Sequence, residues 1–198
     1  MKNFKLIGLF LLFNLGHAQE IFKNENLGFS IEHPQKWIIA KKGQALENTK
    51  EFVKLDPSDL KKLIQENKGS VEVVAFYKYP IEGRAGVIPT IKVDLRNNPY
   101  TTFDAFKKSI IGSFKSIKDV FPDFRFLEEP SVIEIDGKKC VFASCAYTLT
   151  ANSGSEKVSV FVYAIPVNGN FYQMTFIDSE KENNIALFKG IVKTISIK

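Results

Sequence analysis

Three turn signals constrain what this chain can fold into more than any other feature: Asp136-Gly137, Asn152-Ser153-Gly154 and Asn168-Gly169. A type I′ hairpin turn needs positive φ at both central residues, and Asp-Gly and Asn-Gly meet that need at least cost. Between the turns lie β-branched and aromatic segments of strand length, at 132–135, 140–150, 158–165 and 171–177. The stretch 124–178 therefore reads as four consecutive antiparallel strands. In the third of them Val158, Val160 and Val162 lie opposite Phe161, Tyr163 and Ile165. A strand apolar on both sides is central and covered by a layer on each face.

The N-terminus supplies an address. Lys2 and Lys5 precede an apolar run from 6 to 13, and Gly16-His17-Ala18 offers small residues for a cut between Ala18 and Gln19. That is the pattern of a secretory signal peptide at 1–18. The run is about half of the ~20 apolar residues a membrane span requires, so no integral membrane segment is expected in the mature chain 19–198. Removing Lys2 and Lys5 lowers the basic count from 27 to 25 against 22 acidic residues, a net charge near +3. With no run of like charge, nothing points to nucleic acid. Exported, periplasmic or secreted, is the expected location.

Ahead of the meander, Phe29 and Ile31 alternate with Ser30 and Glu32 as in a half-buried strand; Pro34 then breaks it and Trp37-Ile38-Ile39 extends again. The ring of Trp37 is expected to plug one end of the core. Phe52, Val53 and Leu55 hint at a short strand. Asp56 and Pro57 open a helix as N-cap and first residue, with Leu60, Leu63 and Ile64 as its apolar stripe and Gly69 as its stop. A strand at 71–79 is expected to carry Val71, Val73, Ala75, Tyr77 and Tyr79 on one side. The strand at 91–95 alternates strictly, Ile91, Val93 and Leu95 against Lys92, Asp94 and Arg96, which predicts a face that meets water, at a sheet edge or in an uncovered position. Thr101-Thr102-Phe103-Asp104 caps the longest helix, with Phe103, Phe106, Ile110, Phe114 and Ile117 inward and four lysines outward. Ser179-Glu180-Lys181-Glu182 resembles a second capping box, before a closing helix with the stripe Ile185, Phe188, Val192 and Ile195. No linker or repeat divides 19–198, so one domain is expected.

Chemistry is sparse in the sequence. His33 is the only histidine after processing, and Cys140 and Cys145 share a strand at an odd offset, about 16 Å apart and on opposite faces. They are expected to be separate core thiols, with no bridge and no metal site. No nucleophile elbow, zinc-protease helix, Walker loop or dinucleotide fingerprint occurs, so no cofactor is expected and the chain reads as non-catalytic. An enzyme would have to be built on Arg84, Glu128 or His33. Gly83-Arg84-Ala85-Gly86 could hold an anion, and Asp94, Asn97 and Asn98 fall short of a calcium ligand series. A small-ligand pocket between sheet and helix would be lined by Tyr77, Tyr79, Tyr163 and Tyr172.

Several landmarks in order resemble the Mog1/PsbP-like family. They are Gly28-Phe29-Ser30-Ile31 with Pro34 and Trp37, the long amphipathic helix, Gly169-Asn170-Phe171-Tyr172-Gln173-Met174-Thr175 in the meander, and Thr194-Ile195-Ser196-Ile197 at the end. The resemblance covers about residues 27–197. It implies an α+β fold, an antiparallel sheet of six to seven strands with the C-terminal meander, sandwiched between helices on both faces. The resemblance implies little about activity; the leader, the complete fold pattern and the missing catalytic apparatus point to an exported accessory or protein-binding module, with an envelope protein as partner. The resemblance carries no catalytic or binding residue over to this chain.

Overall fold

A computed structural model of the protein describes residues 20–40, 57–66, 69–82, 86–151 and 154–198. The proposed leader, the cleavage pair Ala18 and Gln19, the strand hinted at by Phe52, Val53 and Leu55, the cap Asp56, and Arg84 all lie outside the described residues, as do the side chains of Leu60 and Leu63. The elements run β1 (Ile21–Asn24), β2 (Phe29–Glu32), β3 (Ile38–Ile39), α1 (Pro57–Glu66), β4 (Ser70–Tyr77), β5 (Thr90–Asn97), α2 (Phe103–Val120), β6 (Arg125–Ile135), β7 (Lys138–Ala151), β8 (Gly154–Val167), β9 (Asn170–Ser179), α3 (Ile185–Val192) and β10 (Ser196–Ile197).

Seven strands form one antiparallel sheet in the order β3-β4-β5-β9-β8-β7-β6, and β1-β2-β10 form a small second sheet. The meander expected from the turn residues is present as β6 to β9, with Asp136 and Gly137 at φ +50° and +70° and Asn168 and Gly169 at +48° and +76°. The first of its strands is longer than its apolar segment, because two bulges carry it past Glu128 and Pro130.

Alternate residues of the central strands join two different apolar clusters. Phe161, Tyr163 and Ile165 pack with Phe76, Met174 and Phe176, with Ile64 of α1, with Phe188 and Ile191 of α3, and with Phe29 and Ile31 of the small sheet. Val158, Val160 and Ala164 pack with Phe106, Ile110 and Phe114 of α2. Cys140 belongs to the first cluster and Cys145 to the second, both fully buried and unbridged. Burial pushes their thiols up to about 12 and about 11, so neither is a ready nucleophile. Trp37 is buried edge-on to Phe188 at 6.2 Å, the expected plug.

Four expectations need correction. β5 is not an edge: it lies between β4 and β9, and the edges are β3 and β6. Its polar residues are tolerated there because Lys92 Nζ sits 3.1 Å from Asp94 and 3.7 Å from Glu72, a cross-strand charge cluster on an internal strand. The side-chain alternation expected for β4 fails at a bulge between Glu72 and Val74, so that Val73, Val74 and Phe76 all join the first cluster, and the strand stops at Tyr77, short of Tyr79. The segment 179–182 is not a capping box. Ser179 ends β9 and donates its hydroxyl to Glu156, while the cap residue of α3 is Asn184, whose N–H is held at 2.8 Å by the buried Asp178 carboxylate. Finally, α3 stops at Val192, and Ile195 is buried just beyond it, on the way into β10.

Candidate functional site

The four tyrosines are not gathered around one cavity. Tyr163 and Tyr172 belong to the first cluster, and their phenols are pushed up by burial. Tyr77 pairs with Thr90, which pairs with Ile177, a residue of the α2 cluster, so Tyr77 is on the opposite face of the sheet. Tyr79 lies past the end of β4, where its hydroxyl donates to Glu182 at 2.9 Å. Side-chain period two, counted without the bulge, could not reveal this separation.

Nor do the other candidate groups converge. The ring of His33 stacks on Phe76 at 5.0 Å and its nitrogens reach Glu20 Oε2 at 3.0 Å and the carbonyl of Trp37 at 2.9 Å. Glu128 is exposed on β6, at the far edge of the sheet. Five strand spacings separate β6 from the β4 strand under His33, roughly 24 Å. Asp94 is drawn to Lys92, away from a ligand role with Asn97 and Asn98. Among the described residues no group of three or more His, Cys, Asp or Glu is placed to hold a metal ion, and no helix is long and apolar enough to cross a membrane.

What the structure does assemble is a groove of about 850 Å³ at one end of the large sheet. It forms where the β1–β2 turn, α1, the exit of β5, the β8–β9 hairpin and Lys198 meet. Tyr172 lies in its wall, 2% exposed, and donates its hydroxyl to the Leu27 carbonyl at 2.7 Å, which ties the large sheet to the small one. The rim is held by main-chain bonds: Asn98 N–H to Gly169 O at 3.0 Å, Asn97 N–H to Gly69 O at 3.4 Å, Lys198 N–H to Gly28 O at 2.9 Å. Gly28 sits at φ +64°, and a Cβ there would meet Lys198 O at 3.2 Å, a tight contact, so both the turn's conformation and its approach to the C-terminal strand favour glycine.

The lining is rich in side-chain amides. Gln65, Asn97, Asn168 and Asn170 reach the groove, and among the described residues none of these four carboxamides has a hydrogen-bond partner in the chain. Lys61, Lys198 and Glu25 also line the groove. In the sequence these residues appear as turn punctuation and an incomplete cation series. Their common location depends on five segments brought together by the fold, and no local motif marks it.

No family model matches the chain, and no curated protein matches it. Solved structures do. The solution structure of cyanobacterial PsbP (CyanoP) from Synechocystis sp. PCC 6803 superposes with a TM-score of 0.54 at 14% identity, covering 93% of this chain and 96% of that one. This chain has the PsbP-like fold. A crystal structure from Bacteroides thetaiotaomicron VPI-5482 matches at TM-score 0.48 and 10% identity, over 91% of this chain and 48% of that one, so this chain spans about half the length of that protein. LpqN of Mycobacterium tuberculosis, involved in cell envelope biogenesis, matches at TM-score 0.45 and 11% identity, over 92% of this chain and 87% of LpqN. At 14% identity the match to CyanoP shows the fold alone, and fold does not carry a function.

Proposed function

We propose that the protein is an exported, non-catalytic accessory module that binds a protein of the cell envelope. In this reading residues 1–18 are removed, and 19–198 act in the periplasm or outside the cell as one PsbP-like domain with helices on both faces of its sheet. The binding role rests on one observation: a preformed groove, braced by main-chain hydrogen bonds, into which the carboxamides of Gln65, Asn97, Asn168 and Asn170 reach without a partner among the described residues. Ligand sites are concave and largely pre-formed, with a few polar groups that fix the ligand's orientation. The layered arrangement is supported by the two clusters that alternate residues of β7, β8 and β9 enter. The non-catalytic reading is supported by the spread of His33 and Glu128 across the sheet and by the commitment of His33 to Trp37 and Phe76.

Two measurements test the proposal. N-terminal sequencing of the protein isolated from its host should begin at Gln19 in an exported fraction; an intact Met1 in the cytoplasmic fraction would contradict export. Affinity capture from envelope extract should return one stoichiometric partner that competes with excess untagged protein. A monomer that captures nothing specific would contradict the binding role.

A further inference from the structure

We propose that His33 is a proton-operated clasp: its imidazolium ties the lead into β1 to the turn before β3, and loss of one proton, from Nδ1, frees the β1 side alone. None of the residues involved lines the groove. The clasp follows from what the two ring nitrogens face. The carbonyl oxygen of Trp37, 2.9 Å from Nε2, can only accept, so Nε2 carries a hydrogen. The Glu20 carboxylate, 3.0 Å from Nδ1, can only accept as well, so Nδ1 carries one too. Both bonds exist together only in the doubly protonated ring. Stacking on Phe76, with centroids 5.0 Å apart and planes at 26°, fixes the ring between its two acceptors.

When the second proton leaves, one bond has to be given up. A neutral ring keeps its hydrogen on one nitrogen, and the other turns a lone pair toward its partner. The Trp37 bond is half-buried and closes a turn in which Lys36 stands at φ +65° and the Trp37 N–H returns to the Pro34 carbonyl at 3.1 Å. Breaking it would leave a half-buried carbonyl without a partner. Glu20 is 81% exposed and reaches water by rotating its own side chain. The proton therefore comes off Nδ1, and the Nε2–H form stays on Trp37 while Glu20 lets go. Among the described residues Glu20 is the one charged group within ion-pair distance of the ring. Glu32 and Lys36 flank His33 along the chain, the turn before β3 and β4 itself present the uncharged Trp37 carbonyl and Phe76 ring, and the Thr194 hydroxyl beyond α3 meets the Glu32 N–H.

The main chain feels the change because the His33 N–H donates to the Glu20 carbonyl at 2.7 Å, one rung beyond the β1–β2 ladder that ends at Ile21 and Glu32. With the side-chain bond made, that rung is held twice. Histidine changes charge between about pH 5 and 8, and the charged form makes the extra bond, so the entry to β1 is firmer at the acid end and loosens as pH rises. In the export reading the mature chain begins one residue before Glu20, and the clasp would then set how firmly its first residues lie along β2.

Nitrogen NMR of the histidine side chains in the full chain tests the assignment, with His17→Gln to identify the His33 signals. At pH 5 both His33 nitrogens should carry hydrogen; at pH 8 Nε2 should keep its hydrogen and Nδ1 should have none. Hydrogen exchange of the His33 amide, corrected for its intrinsic dependence on pH, should show protection about two- to fivefold higher at pH 5 than at pH 8, the worth of one exposed ion pair. Glu20→Gln alters an exposed side chain and so keeps the fold. A carboxamide can pair with the ring in either state, so this variant should abolish the difference in protection. An Nδ1–H form at pH 8, equal protection at the two pH values, or an unchanged difference in Glu20→Gln would each overturn the proposal.

Discussion

The two ends of the seven-stranded sheet use their polar residues in opposite ways. At the end where β9 stops, nearly every polar group is spent on another. Glu156 accepts from the Ser179 hydroxyl and the Val87 N–H with Lys181 Nζ 3.5 Å away, Lys78 and Tyr79 both reach Glu182, and Asp178 takes two hydrogen bonds from Asn184. At the end where the β8–β9 hairpin turns, the main chain is paired while the carboxamides of Gln65, Asn97, Asn168 and Asn170 are not. Both ends are built from the same strands, so strand chemistry does not explain the difference. One end fastens α3 and the loop before β5 to the sheet; the other is rigid in its backbone and open in its side chains. A closed network holds its groups for stability, and in the binding-module reading the open one is where a ligand docks.

That contrast can be broken by substitution, starting at the fastened end. Asp178→Ala removes a 2%-exposed carboxylate and strands both the Asn184 N–H and its side-chain amide. A loss of about 2–4 kcal/mol in urea unfolding is expected. Gly86→Ala comes next. Gly86 has φ +91°, and a Cβ would lie 2.7 Å from Glu156 Oε2, so the loop before β5 must shift or strain by about 1–2 kcal/mol, read in the same assay.

Acid should loosen the same end. The Ser179 hydrogen bond, more than the Val87 N–H or Lys181, holds the Glu156 carboxyl below its ordinary value of 4.5, against a smaller upward push from burial. A carboxyl lowered on folding stabilises fully above its unfolded value, and that contribution is lost as pH falls through the folded value. The melting temperature should therefore fall between neutral pH and about pH 4 by more in the unmodified protein than in Glu156→Gln. An identical fall in both would remove Glu156 from the account. At the open end the expected effect on stability is the smallest: Asn97→Ala and Gln65→Ala remove carboxamides without partners and should change unfolding by less than about 0.5 kcal/mol.

The same contrast explains what could be read from the sequence. The meander was legible because its signals are local: turn residues that accept positive φ and strand segments that alternate between two buried faces. Of the two positions expected for β5, the edge fails because its neighbour β9 lies some eighty residues away, while the Lys92 side chain stays 41% exposed on an internal strand beside Asp94 and the cross-strand Glu72. The cap of α3 was misplaced because Asp178, a strand residue, reaches forward six positions to hold Asn184. The tyrosines were grouped by type, and one bulge in β4 with one turn beyond it sent Tyr77 and Tyr79 elsewhere. The groove left no local trace, since asparagines in turns are read first as turn formers. Only the fold places Asn97 beside the Asn168-Gly169 hairpin and α1.

The most direct test of the division between a fastened end and a receptive end is amide chemical-shift mapping with the partner captured from envelope extract. The account predicts that the resonances of Gly28, Asn97, Asn98 and residues 168–170 move on titration while those of Lys78, Glu156, Ser179 and Asn184 stay fixed. Shifts centred on the Glu156 end, or shifts scattered over the whole sheet with none at the groove, would contradict it.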